Sequence, residues 1–146
     1  MKYLCLVYQD ETRLDALPED EYAAIARDTI EYCEELRQSG HSIASAPLQP
    51  VRTATTIRVR NGMLSITDGP VAETKEQLGG FYLIDARDLN DAIRVASKMP
   101  PARVGAIEVR PIKELGPQEL RRNGRQTVIG TRLKATSGAH GKETAT

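Results

Sequence analysis

The sequence predicts an α+β fold: a β-α-β-β-α-β run with an inserted β-hairpin, giving one antiparallel sheet with both helices on one face. Three observations predict it. Two segments, 18–39 and 88–99, carry apolar residues at helical spacing. Apolar strand-like runs lie before, between and after them. Asn61-Gly62, the strongest short hairpin signal, sits between two β-rich runs.

Taken in order, KYLCLVY (2–8) is a buried strand, and QDETRLDAL is a polar connection. Pro18 opens the long helix, with Glu19, Asp20 and Glu21 where the helix dipole favours anions. Tyr22, Ile25, Ala26, Ile30, Cys33 and Leu36 form its expected buried stripe, and Gly40 is the natural residue just past its end. HSIASAPLQP (41–50) is a short strand stopped by prolines. TATTIRVR (53–60) and MLSIT (63–67) form the hairpin, with Ile57 and Val59 on one side and Arg58 and Arg60 on the other. GGFYLIDA (79–86) is a buried strand. Asp88 caps the second helix, whose expected buried face is Leu89, Ala92, Ile93, Ala96 and Met99. Pro100-Pro101 stops it, and GAIEVRPI (105–112) alternates as a half-buried strand with Ile107 and Val109 inward.

Without the hairpin this order is the ferredoxin-like arrangement. Apolar residues alternate on both faces of its sheet, and the helices cover only one. The expectation is a homodimer packed sheet to sheet. Residues 1–113 form the expected domain. Residues 114–146 form a polar extension, either partly disordered or reaching over a partner subunit, with a basic cluster at Arg121, Arg122, Arg125, Arg132 and Lys134.

Composition narrows the function. Lys plus Arg and Asp plus Glu are both 20, so no domain-wide basic field is available for nucleic acid. No run approaches the length of a membrane span. The chain opens without a signal-peptide pattern, and a cytoplasmic protein is expected. The two cysteines, Cys5 and Cys33, sit on an apolar strand and an apolar helix face and are expected as buried, reduced thiols. No ligand cluster suggests a metal, and no phosphate loop, dinucleotide fingerprint or Ser-His-Asp arrangement can be placed, so no cofactor is expected.

The segment TDGPVAETKEQLGG (67–80) concentrates ionisable groups between two turn signals. Asp68 either holds the bend through backbone hydrogen bonds or serves in proton transfer. Glu73 and Glu76 share a face if 73–78 forms a helical turn, with Lys75 elsewhere. These groups are either a solvated surface run or the rim of a cleft. His41, just after the long helix, is either a polar cap or a general acid or base. The candidate catalytic residues are Asp68, Glu73, His41 and Lys75. Glu76 and Arg58 are candidate binding residues.

DGPVAETKEQLGGFYLIDARDLNDAI resembles the DGPF signature of the YCII-related proteins, with Val71 where that family carries Phe. KYLCLVY, TATTIRVRNG and AIEVRPI match the same pattern. The resemblance spans roughly residues 1–113 and implies a dimeric α+β barrel. It also implies small cofactor-independent enzymes such as a dehydrochlorinase of a chlorinated hydroxyquinol. In shorter relatives a His-Asp pair is the proposed site. That His falls early in the first helix, where this chain has EDEYAAIARD and no histidine. The resemblance also implies gene neighbourhoods with extracytoplasmic-function sigma factors. Two functions follow. One is a cofactor-independent lyase, isomerase or dehydrochlorinase on a small cyclic or aromatic substrate. The other is a non-enzymatic small-molecule-binding or accessory protein that partners a sigma factor.

Overall fold

The computed structural model describes residues 1–117. The basic cluster and the remainder of the extension lie outside these residues. Met1–Ile112 form one compact unit, and a second begins at Lys113.

Six strands and three helices make up the first unit: β1 Lys2–Gln9, α1 Glu11–Asp15, α2 Glu19–Gln38, β2 Ser42–Pro47, β3 Thr55–Arg60, β4 Met63–Asp68, β5 Gln77–Asp85, α3 Leu89–Ser97 and β6 Ala106–Pro111. The four-stranded sheet runs β2-β5-β1-β6, and β3 and β4 pair separately. All pairings are antiparallel. This is the ferredoxin-like order with a hairpin inserted between its second and third strands. The expected polar connection after β1 contains α1, where the Asp10 carboxylate accepts from the Thr12 and Arg13 amides.

Local chemistry sets the element ends. Gly40 (φ 79°) follows α2, its amide bonding Arg37 O at 3.2 Å while the His41 amide bonds Leu36 O at 3.0 Å. That pair of bonds is a Schellman cap. Asn61 (φ 51°) and Gly62 (φ 74°) make the type I′ turn between β3 and β4. Asp88 caps α3 by accepting from the Asp91 amide. Pro100–Arg103 form a 3-10 turn after that helix.

Alternation places Tyr3, Cys5 and Val7 of β1 beside Ile84, Tyr82 and Gly80 of β5, with Val109 and Ile107 of β6 flanking them. This face carries the core, closed by Leu36, Ala92, Val95, Ala96 and Met99. The other face pairs Leu4 with Leu83 and Leu6 with Phe81, all half-buried.

Both helices depart from their expected burial. Only Leu36 of the α2 stripe is buried, and Tyr22 and Ile30 are 52% and 72% exposed. Much of the stripe lines open space rather than the sheet. In α3 the buried residues are Asp91, Ala92, Val95 and Ala96, while Leu89 and Ile93 are exposed. A carboxylate turns inward there because cations and an imidazole converge on it.

Candidate functional site

Between α2 and the sheet lies a cavity of about 750 Å³. Its walls include Ile25 and Cys33 from α2, Val7 and Tyr82 from the sheet, and Pro47 and Leu48 at the end of β2. The sequence explains the opening. Gly79 and Gly80, which follow the charged loop, both line it and place no side chain there. A Cβ on Gly80 would sit 3.0 Å from Ala46 O, so the close approach of β2 and β5 favours glycine. On α2, Ala26 and Thr29 keep the facing wall small.

Few polar groups break this apolar lining. Gln9 and Ser45 contribute from the strands, and Thr29, Glu31, Glu34 and Arg37 contribute from α2, where Glu34 and Arg37 pair at 2.5 Å. Tyr82 is buried. Desolvation pushes its hydroxyl well above the usual phenol range, helped by Cys33, so it stays neutral and able to donate a hydrogen bond. Burial alone pushes the Cys5 thiol up to about 11. Both cysteines are free, with Cys5 buried and Cys33 half-buried against the cavity.

A second hollow, about 450 Å³, lies where β1 begins and β5 ends, with His41, Arg87, Asp91 and Arg94 on its walls. The Asp91 carboxylate is 2% exposed and accepts from the Arg94 guanidinium. The Arg87 amide donates to it at 3.1 Å, and His41 Nε2 lies 3.2 Å away. The Arg94 and Arg87 donors outweigh desolvation and hold this carboxyl well below the usual carboxylate range. The other imidazole nitrogen, Nδ1, is 2.8 Å from Ser39 Oγ. A Ser-His-Asp chain of hydrogen bonds therefore exists, although none could be placed from the sequence. Ser39 and His41 are two residues apart, but Asp91 reaches them only through the fold.

The remaining candidates stand elsewhere. Asp68 ends β4, and Glu73, Lys75 and Glu76 lie in the irregular stretch before β5; all four are exposed. No helical turn forms over 73–78. The Asp68 carboxylate accepts no backbone hydrogen bond among the described residues. The bend is held instead by the Gly69 amide on Ala54 O at 2.8 Å and by Thr56 Oγ1 donating to Gly69 O at 2.7 Å. Thr74 Oγ1 donates to Glu76 O at 2.6 Å. Arg58 lies on the hairpin, half-buried. His41 shares neither cavity wall nor hydrogen bond with Asp68, Glu73 or Lys75. The sequence reading missed Glu34, Arg37 and Tyr82 in the large cavity and Ser39 and Asp91 in the smaller one. The i,i+3 and i,i+4 placement of Arg94 and Arg87 around Asp91 was the readable signal.

Among the described residues, no His, Cys, Asp or Glu group is arranged to hold a metal ion. Nor is any helix among them long and apolar enough to cross a membrane.

Comparison with known proteins adds three findings. The chain is similar to an uncharacterized protein of Rhizobium meliloti (strain 1021), 38% identical over 122 residues, covering 82% of this chain and 98% of that one. A solved structure, 5-chloro-2-hydroxyhydroquinone dehydrochlorinase from Burkholderia phenoliruptrix AC1100 in complex with 2,5-dihydroxybenzoquinone, aligns over 79% of this chain and 96% of that one. It does so with a TM-score of 0.46 and 18% sequence identity. The YCII-related domain matches residues 1–116. That match takes in every strand and helix of the first unit, β1 to β6, so the chain belongs to the YCII-related domain family.

Proposed function

We propose that this protein binds a small cyclic ligand between α2 and the sheet and acts on it as a cofactor-independent lyase or isomerase. The observation that carries the reading is the cavity. Its volume, about 750 Å³, falls within the roughly 300–1,000 Å³ typical of small-molecule sites. An apolar lining with a few polar groups suits a ring bearing oxygen substituents, and hydroxyquinones are the first class to test. The neutral Tyr82 hydroxyl is suited to donate to a ligand carbonyl, which would favour charge developing on that oxygen.

Proton transfer requires a group within hydrogen-bond reach of the substrate. Glu31 and Glu34 both reach the cavity wall, and Glu34 meets that requirement best because Arg37 is paired beside it. Asp68 and Glu73, with Lys75 as the electrostatic stabiliser, are the competing assignment. Their loop feeds β5 beside Gly79, but none of the three lines the cavity.

We further propose that the protein is a homodimer. The half-buried apolar residues on the open sheet face would be covered by a second copy. The hairpin adds an exposed ladder, Ile57 opposite Ile66 and Val59 opposite Leu64, all between 58% and 64% exposed.

The test uses Cys33 as a reporter. The protein is incubated with a panel of hydroxyquinones and phenols, alkylated with iodoacetamide, and analysed by mass spectrometry while turnover is followed by absorbance. A ligand in the cavity slows Cys33 alkylation, and Glu34→Gln lowers turnover by about 100-fold or more while protection of Cys33 persists. Loss of turnover in Glu73→Gln or Asp68→Asn, with Glu34→Gln active, moves the chemistry to the loop. Ligands that are turned over without protecting Cys33 would refute the cavity as the site.

A further inference from the structure

The smaller hollow carries a chemistry of its own. Asp91 is ionised and can only accept, so the imidazole nitrogen facing it, Nε2, carries the hydrogen. In a neutral His41 the lone pair is then on Nδ1, 2.8 Å from Ser39 Oγ. The serine hydroxyl has Leu36 O as its alternative acceptor, at the longer distance of 3.2 Å. Asp91 is fixed by the Arg87 amide and the Arg94 guanidinium, so the imidazole plane is set by a buried group rather than by solvent. Ser39 is exposed and His41 is partly so, which leaves the hydroxyl open to a substrate. The relay has the parts of a nucleophile, a base and an orienting carboxylate. The two imidazole nitrogens exchange the partners they have in serine proteases.

The hollow is also selective by charge. Arg87 and Arg94 line it, and the Arg87 side chain is 80% exposed, with its guanidinium 3.5 Å from Asp91 Oδ1. Its other wall carboxylate, Asp85, is occupied by the Met1 ammonium at 3.1 Å. A substrate anion therefore meets cations that are partly solvated and one carboxylate that is already paired.

We propose that Ser39 is the nucleophile of a second site, which hydrolyses small carboxylic esters bearing an anionic group. Ser39 Oγ adds to the ester carbonyl while its proton passes to His41 Nδ1. The tetrahedral intermediate collapses, the alkoxide leaves with that proton, and an acyl-serine remains. Water, deprotonated by His41, then cleaves the acyl bond and releases the acid, returning the proton to Ser39. Asp91 stays ionised throughout, and Arg87 holds the substrate's anionic group.

A fluorophosphonate probe and two nitrophenyl esters, neutral 4-nitrophenyl acetate and anionic mono-4-nitrophenyl succinate, test this on the full chain. The expected result is a single adduct mapped to Ser39 by peptide mass spectrometry. Ser39→Ala abolishes adduct and hydrolysis, His41→Gln lowers both by about 100-fold, and Arg87→Gln lowers hydrolysis of the anionic ester by a larger factor than that of the neutral one. Mapping on the unaltered chain decides the point even where a variant folds poorly. An adduct elsewhere, no adduct on the folded protein at pH 8, or wild-type hydrolysis by Ser39→Ala would overturn the proposal. None of these outcomes bears on ligand binding beside α2, which Cys33 protection reads separately.

Discussion

Gly69→Ala tests whether the charged loop is held by its first turn. Gly69 has φ 99°, a conformation that residues with a Cβ rarely adopt. A Cβ built there meets nothing within 4 Å, so the substitution adds backbone strain without a clash. Strain of this kind costs about 1–3 kcal/mol. Alanine recovers about 0.4–1 kcal/mol through the less flexible unfolded chain. The expected net loss is about 1.3 kcal/mol at the middle of these ranges, read as a lower urea midpoint at unchanged slope. Thr56→Val removes the 2.7 Å bond to Gly69 O at a nearly buried position and is expected to cost about 1 kcal/mol. Because both changes act on one turn, the double variant should lose less than the sum. Hydrogen exchange at the Gly69 amide, bonded to Ala54 O, reports the same event locally. A Gly69→Ala protein with wild-type urea midpoint and wild-type exchange would refute the claim that this bend positions the loop.

Other consequences can be checked separately. Asp91 has a folded pKa below its ordinary 3.8, so the stability it contributes is present above that pH and is lost as pH falls below it. Acid unfolding of Asp91→Asn should therefore be shallower below pH 4 than that of the unaltered chain, as followed by circular dichroism. Cys5 is shifted the other way, from 9.0 to about 11, so its contribution is present below pH 9 and disappears as pH rises toward 11. Cys5→Ala should lower stability at pH 7 yet flatten its decline over that window. Tyr32→Phe removes a 2.7 Å bond to Val95 O that ties α2 to α3 and should cost about 1 kcal/mol in urea unfolding. Gly105→Ala would place a Cβ 2.2 Å from Tyr8 O, and the backbone must move, so poor soluble yield or a fall in thermal midpoint of several degrees is expected.

The sequence carried the parts of the fold that depend on neighbours in the chain. Asn61-Gly62 announces its own turn, Gly40 its helix end, and Asp88 its cap, because each is decided by backbone angles or by a hydrogen bond within a few residues. The alternation of Ile107 and Val109 with Glu108 and Arg110 fixed which side of β6 faces inward. Periodicity on α2 identified the side facing the sheet but not the separation. Whether Ile25 and Cys33 touch strands or line a cavity depends on Gly79, Gly80 and Ala26 leaving their space unfilled. The same limit hid Asp91. Its arginine neighbours are close in sequence, but His41 approaches from fifty residues away. The loop residues Asp68, Glu73 and Lys75 drew attention because charges cluster between turn signals, a pattern that serves a solvated connection equally well.

The way α2 is attached gives the cavity a mechanical character. Its anchors are Leu36 in the core, Tyr32 on Val95 O and, at the helix midpoint, Asp28 on Arg103 at 2.7 Å, so none lies before Asp28. At ~1.5 Å per residue, Tyr22 stands ~21 Å along the axis from Leu36. A tilt of ~5° about Leu36 would then carry Tyr22 through ~2 Å, about half the width of a methyl group. The first half of α2 is thus the long arm of a lever whose fulcrum lies in the core. Small changes in packing at Leu36 would alter the width of the cavity, without any substitution in its wall.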